Sequence, residues 1–348
     1  MFDSFKLLRL SLAALLAASF SVSVAYAQKW SRLAPFPEPS EELWGAGAGG
    51  KLYVFGGIAP GWKPKSLVYE YDPANDTWTK KNNMPLASHH VAAAELNGKI
   101  YMFGGFKYPD AGKPGWQPID NAWEYDPEND SWKALAPMPT KRGSPSAAAH
   151  GGKIYVIGGA SMHPGSKDPF VHPARPHRAL STNEVYDPKT NTWENRSPMP
   201  TARNHGAAGM ANNKIYYIGG RIGATFITGG GRGVDLVEEF DPATDQWGRL
   251  KASMPTARSA VAWGTYGGKI YVAGGEAQDS RMLMTFRVVE AFDAATNTWT
   301  ILPSMRFPRH GLAGAFVGNR LHLVSGDAQS ALSGAETHVE YHDVLEIP

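Results

Sequence analysis

Glu184-Val185-Tyr186-Asp187-Pro188-Lys189-Thr190-Asn191-Thr192-Trp193 reads as the end of one short strand, a turn, and the start of another. The aromatic Tyr186 closes the first strand. Asp-Pro with Asn beyond it supplies turn chemistry, because these side chains bond their own backbone and tolerate unusual dihedrals. The same frame recurs: Asp72, Asp126, Asp187, Asp241 and Asp293 each lie six residues before Trp78, Trp132, Trp193, Trp247 and Trp299. A sixth tryptophan, Trp30, stands ahead of them all. From each of the six, a doublet ending at Gly57, Gly105, Gly159, Gly220, Gly275 or Gly326 follows after 27, 27, 27, 27, 28 and 27 residues. The variation in length falls between doublet and Asp, where the gaps are 15, 21, 28, 21, 18 and, to Asp343, 17 residues. The mean period is about 54 residues, in the range of propeller blades.

Each period contains four strand signals and no helical one. A Pro-rich turn such as Met199-Pro200 leads into small residues such as Gly206-Ala207-Ala208-Gly209. A hairpin turn (Asn97-Gly98, Gly151-Gly152) then precedes a β-rich run such as Lys153-Ile154-Tyr155-Val156-Ile157. After the variable loop comes the strand ending in Asp, and then the Trp strand. The expected fold is all-β: a six-bladed propeller whose innermost strands carry the small residues, since blades crowd toward the axis. The blades span 40–80, 88–134, 142–195, 203–250, 258–301 and 309–348. The segment 28–34 around Trp30 completes blade six as its outer strand and removes an open edge. In that blade Ser325-Gly326 replaces the doublet, and His342 takes the aromatic position before Asp343.

Residues 1–27 read as a secretory signal peptide. Lys6 and Arg9 precede the apolar run Leu10–Val24, and Ala25-Tyr26-Ala27 is an A-x-A cleavage site. The remaining 321 residues carry a formal charge of +1, against +2 for the whole chain. That balance argues against a nucleic-acid partner, which needs a basic face. The expected location is periplasmic or secreted, with no membrane insertion after cleavage. The chain has no Cys, which removes disulfides, thiolate nucleophiles and thiolate metal sites.

These repeats, with Gly56-Gly57 through Gly274-Gly275, Glu184-Val185-Tyr186-Asp187-Pro188 and Met199-Pro200-Thr201-Ala202-Arg203, resemble the kelch family across essentially the whole mature chain. Kelch repeats imply a fold far more than a function. The resemblance implies a platform that binds a protein or glycan. The variable loops (58–66, 106–121, 160–183, 221–235, 276–288, 327–338) emerge on the same face as the inter-blade turns. Arg142, Arg203, Arg258 and Arg309 occupy one position of those turns, and Ser40 and Ser88 occupy it in the other two blades. One reading is a ring of guanidiniums that takes an anionic sugar or carboxylate bidentately. The other is that each Arg caps a turn.

His89, His90, His205 and His310 follow those positions and line the same mouth as ligand-binding candidates. His163, His172 and His177 lie in the longest loop among prolines, read as a lid. Their spacing is irregular and no H-E-x-x-H accompanies them, so neither a metal nor another cofactor is expected. The chain also resembles exported sialic acid mutarotases in size, signal peptide and blade number. That family pairs a Glu with a nearby Arg in one variable loop. Glu276 and Arg281 match in type, with Arg281 one residue closer, and imply a catalytic pair for general acid–base exchange at an anomeric oxygen. A copper radical oxidase on a kelch propeller is excluded, because it requires a cysteine.

Overall fold

In a computed structural model, described residues are 28–348 apart from 111–114, 168–169, 172–177, 224–232, 279–282 and 331–336. The signal-peptide expectation for 1–27 therefore lies outside the described residues. So do the positions of Arg281, His172 and His177. Among the described residues no helix is long and apolar enough to cross a membrane.

The four strand signals of each repeat form one antiparallel four-stranded sheet, in sequence order from the inside outward. Blade three is typical: Ser146–His150, Lys153–Ile157, Asn183–Asp187 and Thr192–Asn195. The small-residue strands are innermost and meet their neighbours around the ring. Crowding there is severe enough that a Cβ on Gly45 would sit 2.9 Å from the Gly314 backbone, and one on Gly47 would sit 2.2 Å from the Phe316 carbonyl. Aromatic and aliphatic side chains of adjacent blades fill the layers between sheets, as Phe103, Tyr186 and Trp193 do between blades two and three.

Blade six confirms the ring closure. Its sheet runs Ala313–Val317, Arg320–Val324, His342–Glu346 and then Trp30–Arg32, with Trp30 opposite Leu345 and Arg32 opposite Asp343. The register differs from the spacing argument by three residues. Leu321 pairs with Leu345 as Ile154 pairs with Tyr186, so Leu345 holds the aromatic position and Glu346 that of the turn Asp. Asp343 occupies the place of Glu184, and His342 that of Asn183. The chemical likeness of Asp343 to the recurrent Asp hid this shift.

Two devices set the spacing between blades. The six tryptophans lie partly buried, and each indole Nε1 donates to a carbonyl in the linker of the preceding blade: Ala34, Asn82, Ala136, Ser197, Ala252 and, for Trp30, Pro303. In five of the six doublets the second glycine donates its N–H to the next blade: Gly105 to Arg142, Gly159 to Arg203, Gly220 to Arg258, Gly275 to Arg309 and Gly326 to Ser40. A Cβ on Gly105 would lie 2.7 Å from the His89 carbonyl, and φ there is +109°, so only glycine fits without strain. The second and third strands of blade one extend through the first variable loop, as Lys51–Ala59 and Lys63–Asp72, with a bulge between Gly56 and Ile58.

Candidate functional site

The four arginines do not form the mouth, which corrects the guanidinium-ring expectation. All four are fully buried. Each turns back into its own blade and meets a third-strand carboxylate: Arg142 with Glu184, Arg203 with Glu238 at 3.0 Å, Arg258 with Glu290, and Arg309 with Asp343 at 2.9 Å. Each also donates to a second-strand carbonyl: Val156, Tyr217, Val272 and Leu323. A guanidinium so enclosed is not exposed at the mouth, and its placement is that of a blade-core ion pair. In blade one, where Ser40 replaces the Arg, the carboxylate's place on the third strand is taken by Tyr69.

The mouth is built by the two residues that follow. Glu42, His90, Ser144, His205, Ala260 and Gly311 start the six inner strands, and all have φ between +53° and +59°. Their backbones link head to tail around the axis. Gly311 N–H donates to Ala260 O, Ala260 to His205, His205 to Ser144, and Ser144 to His90 at 2.8–3.2 Å. Leu43 N–H completes the blade six–one step to Gly311 O at 3.1 Å. Left-handed backbone is costly for any residue with a Cβ and persists only where the surroundings impose it. Here these five inter-blade backbone bonds impose it, and Glu42, His90 and His205 meet at one centre.

The residue before each throat position bridges to the residue after a glycine doublet: Glu41 with Ile58, His89 with Phe106, Gly143 with Ala160, Asn204 with Arg221, Ser259 with Glu276, and His310 with Asp327. This splits the mouth chemically. In blades one to three the post-doublet residues are apolar, and Ile58, Phe106, Trp116, Ala160 and Val171 form one cluster. His89 and His90 each lie 5.0 Å from the Trp116 ring. In blades four to six they are Arg221, Glu276 and Asp327, each at most 4% exposed.

Arg221 organises the polar half. It donates to Glu276 Oε1 (3.2 Å), Gln278 Oε1 (2.9 Å), Asn204 Oδ1 (3.3 Å) and His205 Nε2 (2.8 Å). Because guanidinium only donates, His205 accepts at Nε2 and carries its proton on Nδ1, toward Asn204 Oδ1. Glu276 Oε2 accepts from Gln278 and from Ser330 Oγ at 3.0 Å, with His310 Nε2 3.7 Å away. His310 Nε2 lies 3.2 Å from Glu41 Oε2 and 3.9 Å from Glu42 Oε1. On the far side, His338 Nε2 lies 3.9 Å from Glu41 Oε1 and 3.8 Å from Asp327 Oδ2.

This crowding drives neighbouring groups apart in acidity. Burial lowers His310, but the charges of Glu276, Glu41 and Glu42 outweigh it and hold the imidazole at about 10. Burial raises Glu41, yet the His310 and His338 imidazoles bring it down to about 2. Glu42 goes the other way: burial and the charges of Glu41 and Glu276 prevail over His310 and Arg221 and push it up to about 8. Burial with the Glu41 charge also raises Asp327. Burial alone drives His89 down to about 3, so it is a neutral core residue. Adjacent carboxyls with opposed protonation are an arrangement that acid–base chemistry uses.

Below the throat, Trp44 and Trp263 cross edge to face, with ring centroids 4.5 Å apart. A cavity of about 30 Å³ lies between them and Glu42, His90, Ser144 and His205. A wider vestibule of about 280 Å³, lined by the far ends of the inner strands, opens at the other end. Of the residues singled out from sequence, the structure brings Glu276, His90, His205 and His310 together and stacks His89 behind them. His163 is described but makes no contact with this cluster that the structure records. Sequence reading missed Glu41, Glu42, Arg221, Gln278 and His338. Superposing the repeats gives a signal for Arg221: its column is apolar in blades one to three and turns charged in blades four to six, as Arg221, Glu276 and Asp327.

The family model described as "KLHDC2/KLHL20/DRC7 Kelch-repeats domain" matches residues 19–220, and the one described as "Kelch motif" matches 202–251 and 257–306. The Kelch-like protein terF of Aspergillus terreus is 32% identical over 280 residues, covering 78% of this chain and 58% of that protein. Human Kelch-like protein 15 is 28% identical, covering 67% of this chain and 37% of its own length. Alpha-scruin of Limulus polyphemus is 28% identical, covering 60% and 22%. The chain thus spans under two thirds of these curated relatives. A solved structure titled "Structure of YjhT" aligns with TM-score 0.70 at 18% identity, over 90% of this chain and 97% of that one.

Proposed function

Because this chain belongs to the kelch-repeat family, whose propeller is a typical protein-binding platform, we propose that it binds a protein or glycan through its loop face, with the ligand's polar group seated at the mouth. The observation that carries this is the split mouth. An aromatic half around Phe106 and Trp116 stands beside a charged half around Arg221, Glu276 and His310. A sugar or sugar acid has that same division, with C–H faces for the aromatic side and hydroxyl or carboxylate groups for the charged side. The leader reading of residues 1–27 supports a site of action in the periplasm or outside the cell.

A thermal-shift screen of sugars, sugar acids and glycopeptides tests the proposal. A ligand at a hundred times its dissociation constant stabilises by about 2.7 kcal/mol. Arg221→Gln should erase the shift. A full panel without a shift, or shifts indifferent to Arg221→Gln, would overturn it.

One observation favours a second reading, sugar-acid mutarotation. Glu276 is buried between Arg221, Gln278, Ser330 and His310, positioned to exchange a proton at an anomeric hydroxyl while a cation holds a carboxylate. Among the described residues Arg221 is the guanidinium that touches it, while Arg281 lies outside them. Under this reading, anomer exchange of N-acetylneuraminate followed by NMR exceeds the spontaneous rate, and Glu276→Gln returns it to that rate. Wild-type exchange at the spontaneous rate eliminates the enzyme and leaves the binding platform.

A further inference from the structure

We propose that Glu41, Glu42 and His310 form a binding site for one divalent transition-metal cation, seated where blade six meets blade one. Regular strands send successive side chains to opposite faces. The left-handed turn at Glu42 breaks that alternation, so both Glu41 and Glu42 reach His310. One ligand atom from each of the three lies within 4.8 Å of the others.

Two of those atoms lack a hydrogen bond despite burial. His310 is fully enclosed and Glu41 is 6% exposed; among the described residues neither ring nitrogen nor Glu41 Oε2 has an aligned hydrogen-bond partner, and Nε2 and Oε2 meet only as an ion pair. Native proteins seldom leave such groups unmatched, because each forfeits about 1–3 kcal/mol of solvation. The two atoms face each other at 3.2 Å. With bonds of about 2.1 Å, neighbouring ligand atoms around Zn²⁺ or a similar ion fall about 3.0–3.4 Å apart. Imidazole with two carboxylates also suits borderline first-row cations better than Ca²⁺ or Mg²⁺, which prefer oxygen alone.

The local charge balance agrees. Glu41, Glu42, Glu276 and Asp327 converge here, while Arg221 is the one guanidinium or ammonium that the described contacts bring to them. A divalent cation offsets the excess without the proton that otherwise must remain on Glu42 or His310. No linear motif announces the site, since its ligands stand at opposite ends of the chain and meet only because the ring closes.

The competing occupant is a proton on His310, and the two differ in measurable ways. Chelator-treated protein should bind one equivalent of Zn²⁺ or Mn²⁺ in calorimetry and melt at a higher temperature with the metal. It should also release protons, seen as a buffer-dependent heat. Co²⁺ should give visible d–d bands. Glu41→Gln and His310→Gln should each weaken binding at least a hundredfold. Glu42→Gln, at a partly exposed position, gives a third variant if either of these fails to fold by circular dichroism. Binding unchanged in the folded variants means surface sites only and overturns the proposal. Wild-type affinity weaker than millimolar for both metals does so too, and leaves His310 as an imidazolium.

Discussion

His322 and His342 touch through Nδ1 and Nε2 at 2.9 Å inside blade six. His322 stands where the other blades place Tyr53, Tyr101, Tyr155, Tyr216 and Tyr271. His342 stands where they place Val68, Ala122, Asn183, Val237 and Val289. Burial, with the neighbouring imidazole and arginine charges, lowers His322 to about 3, and burial lowers His342 to about 3 as well. The unfolded chain, near 6.5, takes up protons first as pH falls. Stability present above pH 6.5 is therefore lost progressively toward pH 3, by about 3 kcal/mol per imidazole at pH 4.5. The double change His322→Tyr, His342→Val restores the repeat's own residues and should flatten the midpoint between pH 6.5 and 4.5, read by scanning calorimetry. The arginines give a second residue-scale prediction. Arg258→Met strands Glu290 in the blade core and should cost about 3–5 kcal/mol in urea unfolding, while Arg258→Met with Glu290→Leu recovers most of it. Retained stability in the single variant would mean that the pair holds nothing together.

At the scale of strands and turns, what the sequence disclosed depended on whether the repeat ruler survived locally. Five blades keep Asp, Trp and the glycine doublet at fixed separations, so strand order, loop positions and closure through Trp30 were legible. Blade six lost the ruler: Leu345 and Glu346 replace the aromatic and the Asp, and His342-Asp343 imitates them three residues early. The site was half legible for a related reason. His90, His205, His310 and Glu276 stand out as titratable residues beside conserved-looking spacing. Glu41 and Glu42 do not, because nothing local signals the left-handed throat that turns them inward. The arginines were misplaced because spacing locates a Cα but not the direction of a long side chain. The Trp30 strand is testable at this scale. Trp30→Ala loses the Pro303 bond and its packing on Leu345's blade, and should cost about 2–3 kcal/mol, below the fully buried case. Deleting residues 28–33 should lower the melting temperature further by exposing the edge of His342–Glu346. An unchanged midpoint would show that closure contributes nothing.

For the whole molecule, the same interlock sets how the propeller comes apart. Open stacks of repeats can fray from their ends, since each unit contacts only its neighbours. Here the throat hydrogen bonds and the Gly326–Ser40 bond join first and last blades, leaving no terminal unit to fray. Denaturant unfolding should therefore be a single transition by tryptophan fluorescence and far-ultraviolet dichroism alike; separated transitions would mean that blades melt independently.

For a protein trimmed to residues 28–348, the seam in blade six makes the position of the ends arbitrary. Five residues separate Asp187 from Trp193, while Ile347, Pro348, Gln28 and Lys29 supply four of the five needed between Glu346 and Trp30. Glu346 N–H already donates to Lys29 O across the gap. One inserted glycine should splice the ends into an ordinary strand turn. New ends cut at the exposed Gly151-Gly152 hairpin should then give a circular permutant with the same melting curve and an undisturbed mouth.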